Sequence, residues 1–197
     1  MTLETDLLSS RIDASLEATS RVRSCMPAIE TAIQHMIDGL QGGGTVWTAG
    51  NGGSAAQAMH LSEELVGRYR RTRRALASAS LVADPTALTC IANDFGFDHV
   101  FSRQVEGLAK SGDVLVALST SGNSPNIVNA LHAAQHQGVC TIGLLGSDGG
   151  QCKSLCDVAV CIPDQDSAFV QDAHQLVLHL ICEAIDAWAA ETDHCDE

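Results

Sequence analysis

Five short apolar runs rich in β-branched residues, at 45–49, 77–82, 114–118, 141–145 and 158–162, constrain this chain more than any other feature. Helix-like stretches separate them. A strand that is hydrophobic almost continuously must be covered on both faces, and parallel neighbours need crossover connections. The pattern therefore predicts a doubly wound five-stranded parallel sheet flanked by helices, with ligands held at the carboxyl ends of the strands. Before the first run, Met26, Ile29, Ile33, Met36, Ile37 and Leu40 recur at spacings of three and four, which marks an amphipathic helix after an earlier one. Gly42, Gly43 and Gly44 end it. A last helix, from about 167 to 190, carries Leu176, Leu178, Leu180, Ile181 and Ile185, enough apolar surface to pack on the sheet or on a partner. The length of 197 residues suits one domain, a helical segment over about 1–42 and an α/β core over about 43–192.

Charge narrows the function. A formal net charge of −13 with only 11 Lys plus Arg argues against nucleic-acid binding, which needs a basic face. Five of those cations, Arg68, Arg70, Arg71, Arg73 and Arg74, fall together, and the run reads first as a solvated helix end, with local anion recruitment as the alternative. The amino-terminal residues carry acidic groups early and no signal-like apolar run, and no later stretch is long enough to span a membrane, so a cytoplasmic protein is expected. Eight scattered cysteines (Cys25, Cys90, Cys140, Cys152, Cys156, Cys161, Cys182 and Cys195) read as reduced thiols. Cys152, Cys156 and Cys161 lack a clear fourth ligand for zinc.

Two loops at the predicted ligand edge look like anion cradles. After the first run come Gly50, Asn51, Gly52, Gly53 and Ser54, where small residues let backbone N–H groups approach a ligand at a helix start. After the third come Ser119, Thr120, Ser121, Gly122, Asn123 and Ser124, then Pro125, which supply four hydroxyls beside backbone donors. Neither loop fits the Walker or the dinucleotide pattern, so a phosphate monoester is the better ligand. Further along the first of these helices, His60 and Glu64 stand at i and i+4 on one face, a geometry suited to a divalent metal or a proton-transfer pair. The last helix offers Gln171, His174, Gln175 and His179, the last among leucines where a lone histidine is usually a satisfied core residue.

The segments AGNGGSAAQAMHLSEELVGRYR (49–70), IANDFGFDHVFSRQVE (91–106) and GDVLVALSTSGNSPNIVNAL (112–131), with Gln171 and His179, resemble the phosphoheptose isomerases of the sugar isomerase (SIS) superfamily. The likeness spans most of the chain. It implies a flavodoxin-like or Rossmann-like SIS domain whose amino-terminal helices pack in a homotetramer, with active sites at subunit interfaces. The implied reaction is the aldose–ketose isomerisation of D-sedoheptulose 7-phosphate to D-glycero-D-manno-heptose 7-phosphate through an enediol, on a route to nucleotide-activated heptose and bacterial glycans such as lipopolysaccharide core. The implied contacts to this phosphorylated seven-carbon sugar are Asn51, Gly52, Gly53, Ser54, Glu64, Asn93, Asp94, Ser119, Thr120, Ser121, Ser124 and Gln171. The implied zinc site, one ion per subunit, is His60, Glu64, Gln171 and His179.

With that reaction, chemistry assigns Glu64 as the base that takes the proton next to the carbonyl and His179 as the acid that serves oxygen. Asp94 is a candidate for ring opening or for holding a hydroxyl. Gln171 and His179 are eight residues apart, about 12 Å along a continuous helix. Either Gln171 precedes the regular helix or the two ligands come from different subunits, and the second is preferred. One departure stands out: relatives usually carry an arginine two residues before the glutamine and a glutamate after it, where this chain has Phe169 and Asp172. Two rival classes use the same fold without this chemistry. A protein-binding module like the replication-initiator-associating proteins lacks the His/Glu and Gln/His set, and a sugar-phosphate sensor has no need of it. Another isomerase of the superfamily, acting on a different sugar phosphate, is the nearer alternative.

Overall fold

The computed structural model describes residues 5–192. Its chain runs α1 (Thr5–Ser20), a 3-10 turn (Arg21–Cys25), α2 (Met26–Gln41), β1 (Val46–Gly50), α3 (Gly53–Val66), β2 (Ser78–Ser80), α4 (Pro85–Phe95), α5 (Ser102–Leu108), β3 (Val114–Ser119), α6 (Pro125–Gln137), β4 (Cys140–Gly146), α7 (Gly150–Lys153), β5 (Val158–Ile162) and α8 (Ser167–Thr192). The five strands form one all-parallel sheet in the order β2-β1-β3-β4-β5. The five apolar runs are the five strands, with β2 trimmed to three residues at the edge. Cys195 lies outside the described residues.

Strand β3 shows why both faces need cover, since all six of its residues are buried. Val114, Val116 and Leu118 face a core closed by Ile29 and Met36 of α2, Leu61 and Leu65 of α3, and Val177, Ile181 and Ile185 of α8. Leu115 and Ala117 face the other way, against Val105 of α5 and Ile127, Ala130 and Leu131 of α6. The helix starts follow sequence chemistry: Pro125 opens α6 behind Ser124, and Asp84 caps α4 by accepting from the N–H groups of Thr86 and Ala87.

Helix α1 lies along α8 of its own chain. Arg11 pairs with Asp166 at 3.0 Å and stacks 4.2 Å over the Phe169 ring, while Ser15 Oγ donates to Asp172 Oδ2 at 2.5 Å. On the same flank as Arg11 and Ser15, Leu8, Ile12 and Leu16 border a hollow against Ala168 and Phe169 of α8 and stay more than half exposed, at 52, 61 and 65%. Among the described residues no helix is long and apolar enough to cross a membrane.

The arginine run differs from the expectation of a solvated helix end. It follows α3 as irregular chain, and Arg73 is buried, its side chain 1% exposed beside Asp186 at 3%. The guanidinium donates to the carbonyls of Glu64 at 2.7 Å and Leu65 at 2.9 Å, orphan acceptors in the last turn of α3. The cation serves the helix terminus from beyond it. Asp186 also accepts from the backbone N–H groups of Arg70 and Arg71. Burial pushes its carboxyl up, but those two N–H donors and the Arg73 charge outweigh that and hold it below its ordinary value.

Candidate active site

The chain leaves β1 toward β2 on one side and leaves β3 toward β4 on the other, so the crevice of this sheet opens between β1 and β3. Gly50 and Leu118 pair in register there, and both sequence-predicted loops leave from this point. In the first, Gly52 takes φ +56°, and a Cβ on Gly50 would collide with the backbone of Ser54, so the turn into α3 is built on glycine. Gly52 and Gly53 are exposed and Ser54 is buried. In the second, Ser119 is buried, Thr120 and Ser124 are half-buried and Ser121 is exposed. Ser119 Oγ lies 3.4 Å from Ser124 Oγ and accepts from the Gly122 N–H at 3.2 Å; Thr120 Oγ1 donates to Ser167 Oγ at 3.3 Å.

Helices α3 and α8 meet along a polar seam. On α3 the stripe is Gly53, Gln57, His60 and Glu64; on α8 it is Gln171, Gln175 and His179 at i, i+4 and i+8. The Gln171 amide lies against Gly53, where a Cβ would strike it. Gln57 Nε2 donates to the Gln171 carbonyl at 2.8 Å and to Gln175 Oε1 at 3.4 Å. Gln175 Nε2 in turn lies 3.1 Å from His60 Nδ1 and 3.0 Å from His179 Nε2, and His60 Nε2 lies 3.1 Å from Glu64 Oε1. An amide nitrogen only donates, so both imidazole nitrogens facing Gln175 are acceptors. That leaves His60 Nε2 to carry the hydrogen donated to Glu64. The imidazoles stand edge to face, 5.5 Å between centroids, and the Tyr69 ring lies 5.8 Å from that of His179. The Glu64 side chain is 15% exposed, so this carboxylate is sheltered yet reachable.

The fold thus brings His60, Glu64 and His179 together within one chain. Gln171 sits two turns of α3 away from His60, at the glycine loop, and Gln175 holds the place between the histidines. Gln171 and His179 share the continuous helix α8, which overturns the alternative that Gln171 precedes it. For a divalent ion the observed donor set is His60, Glu63 and Glu64, whose ligand atoms all lie within 4.8 Å of one another. A 3.1 Å separation of His60 Nε2 from Glu64 Oε1 suits two ligands on one ion with bonds near about 2.0 Å. Asn93 and Asp94 are exposed on α4; Asn93 Nδ2 donates to Asp94 Oδ1 at 2.7 Å, and Cys90 Sγ to Asp94 Oδ2 at 3.7 Å.

The core histidine of α8 is His174, not His179, and only one of its two ring nitrogens finds a partner. It is wholly buried, with Nε2 3.1 Å from the Leu145 carbonyl, whereas His179 is half-buried. Gln57 and Asn126 escaped sequence reading. Gln57 is four residues from Leu61 on a helix read for its His/Glu pair, and the i+4 spacing to both Gly53 and Leu61 was the available signal. Asn126 had none.

The SIS-domain family profile matches residues 12–146. The chain is 44% identical over 185 residues to a phosphoheptose isomerase of Helicobacter hepaticus, covering 94% of each. Its fold is similar to the solved phosphoheptose isomerase of Neisseria gonorrhoeae, with TM-score 0.88 and 36% identity, and to that of Francisella tularensis, with TM-score 0.90 and 30% identity. Both matches cover 94% of this chain and 100% of the other.

Proposed function

The chain belongs to the phosphoheptose isomerases of the SIS-domain family, and from that premise we propose that it converts D-sedoheptulose 7-phosphate to D-glycero-D-manno-heptose 7-phosphate. The observation that carries the chemistry is the Glu64, His60, Gln175 and His179 constellation on the α3–α8 seam, next to two phosphate-type loops. The phosphate rests on the backbone donors of Asn51, Gly52, Gly53 and Ser54 and on the hydroxyls of Ser119, Thr120, Ser121 and Ser124. Glu64 takes the proton beside the carbonyl and returns it to the neighbouring carbon of the enediol, while His179 moves the proton between the two oxygens. Gln171, Asn93 and Asp94 hold sugar hydroxyls. The product feeds nucleotide-activated heptose and a bacterial glycan of the lipopolysaccharide type.

Zinc, one ion per subunit, is the cofactor this reading assigns, held by His60 and Glu64 with Gln171 and His179. When bound it polarises and holds sugar oxygens. Gln171 and His179 are about 12 Å apart along α8, so one of them reaches a given ion from a neighbouring subunit. A homotetramer with shared sites follows, and the exposed row of Leu8, Ile12 and Leu16 supports it. The working unit is a single SIS domain over 1–197, placed in the cytoplasm.

The test is turnover of sedoheptulose 7-phosphate by purified, zinc-supplemented protein beside Glu64→Gln and His179→Gln. Both variants are expected to lose at least about a hundredfold in kcat, the scale of one positioned acid or base. Wild-type protein that binds the sugar phosphate without converting it would move the assignment to another substrate or to a binding module.

A further inference from the structure

The two phosphate-type loops belong to different strands, and the spacing between them must be set by something other than their own turns. The second loop is fastened to α7, just after the neighbouring strand β4: the Cys152 N–H donates to the Gly122 carbonyl at 2.9 Å and the Gln151 N–H to Asn123 Oδ1 at 3.0 Å. A Cβ on Gly122, which takes φ +63°, would collide with the Gly149 carbonyl. The first loop is held by its own helical turn, with the Ser54 N–H on the Asn51 carbonyl at 3.0 Å.

A pair of amides joins the two. Asn51 Nδ2 donates to Asn126 Oδ1 at 2.8 Å, and Asn126 Nδ2 donates to Asn51 Oδ1 at 2.9 Å. Asn126 is the second residue of α6 and 2% exposed, so its amide is shut away from solvent and finds its partner across the crevice. The reciprocal pair fixes both the distance and the tilt between the start of α3 and the start of α6, as a single bond would not.

We propose that Asn126 is a positioning residue that holds the two loops as one phosphate cradle, and that Asn51 acts through this pair rather than through a side-chain bond to the sugar phosphate. The proposal rests on the assignment of both loops to phosphate given above. The cradle binds a group remote from the reacting carbons, so its loosening weakens substrate and transition state alike: KM rises while kcat is kept.

The experiment is a double-mutant cycle of Asn51→Ala, Asn126→Ala and the double variant, read by calorimetric binding of inorganic phosphate to the full chain, with KM and kcat for sedoheptulose 7-phosphate measured alongside. Each single variant is expected to weaken phosphate binding roughly tenfold, the scale of one or two net hydrogen bonds, and the double variant no further than either. The same factor appears in KM, with kcat within about twofold of wild type. Phosphate affinity unchanged in Asn126→Ala, or losses that multiply in the double variant, would overturn the proposal. Thermal unfolding of each variant separates a loosened cradle from a lost fold. Should Asn126→Ala not fold, Asn126→Leu keeps the volume and the neutrality of the side chain while removing both bonds, and carries the same comparison. Failure of the isomerase assignment shows as absent wild-type turnover, while phosphate binding still decides the role of the pair.

Discussion

His174 illustrates how far a single side chain can link the core to solution conditions. Burial without a second partner pushes its imidazole down to about 4, although the bond to the Leu145 carbonyl pulls the other way. Nδ1 has no hydrogen-bond partner in the buried site. The unfolded chain takes up this proton near 6.5 and the folded chain refuses it until about 4, so stability is complete above the first value and is lost as the pH falls toward the second. The loss amounts to about 3 kcal/mol, at 1.36 kcal/mol per unit. Urea unfolding at pH 7 and pH 4.5 is expected to show a correspondingly smaller acid loss for His174→Gln than for wild type. Residue roles were the part of the site least legible in sequence. The i, i+4 spacing of His60 and Glu64 announces itself on one helix, but the partners of an amide depend on which helix packs opposite. Gln175 and Asn126 acquire meaning only once α8 and β1 are in place. The choice between His174 and His179 as the core histidine had the same origin: His179 has the leucine neighbours in sequence, yet the face of α8 turned to the core carries His174.

At the level of elements, four of the strands were legible to within a residue because each is short, largely apolar on both faces and bounded by glycine or polar loops, whereas the half-buried edge strand Ser78–Ser80 is shorter than its run. The arginine run was not, because a buried cation is recognised by its acceptors, which here are carbonyls of α3 and a carboxylate of α8. Arg73 joins the end of one helix to the side of another and leaves Asp186 dependent on it. Arg73→Ala therefore strands a buried carboxylate and uncaps α3, with an expected loss of about 3–5 kcal/mol in denaturant-unfolding free energy. Arg70→Ala removes a cation whose side chain is 66% exposed and is expected to change stability by less than about 1 kcal/mol, which makes it the control.

On the scale of the whole molecule, the sheet is closed by helices on both faces, but α1 carries an apolar row that α8 borders without covering, leaving it more than half exposed. The homotetramer proposed above gives that row its partner. Ile12→Glu is expected to shift the sedimentation-equilibrium mass toward smaller species while leaving the circular dichroism of the α/β core unchanged; a mass equal to wild type would remove this row from the assembly surface.

The seat of α1 on α8 also limits how pieces of this family can be exchanged. Arg11 stacks on Phe169 and pairs with Asp166, and Ser15 donates to Asp172 one turn further on. The family resemblance implies an arginine, in relatives of the usual pattern, at the position of Phe169. A chimera that joins this amino-terminal helix to such a last helix would crowd two guanidinium groups into the space built for one and an aromatic ring. The two helices therefore form one cassette, and a graft that keeps its footing has to carry both.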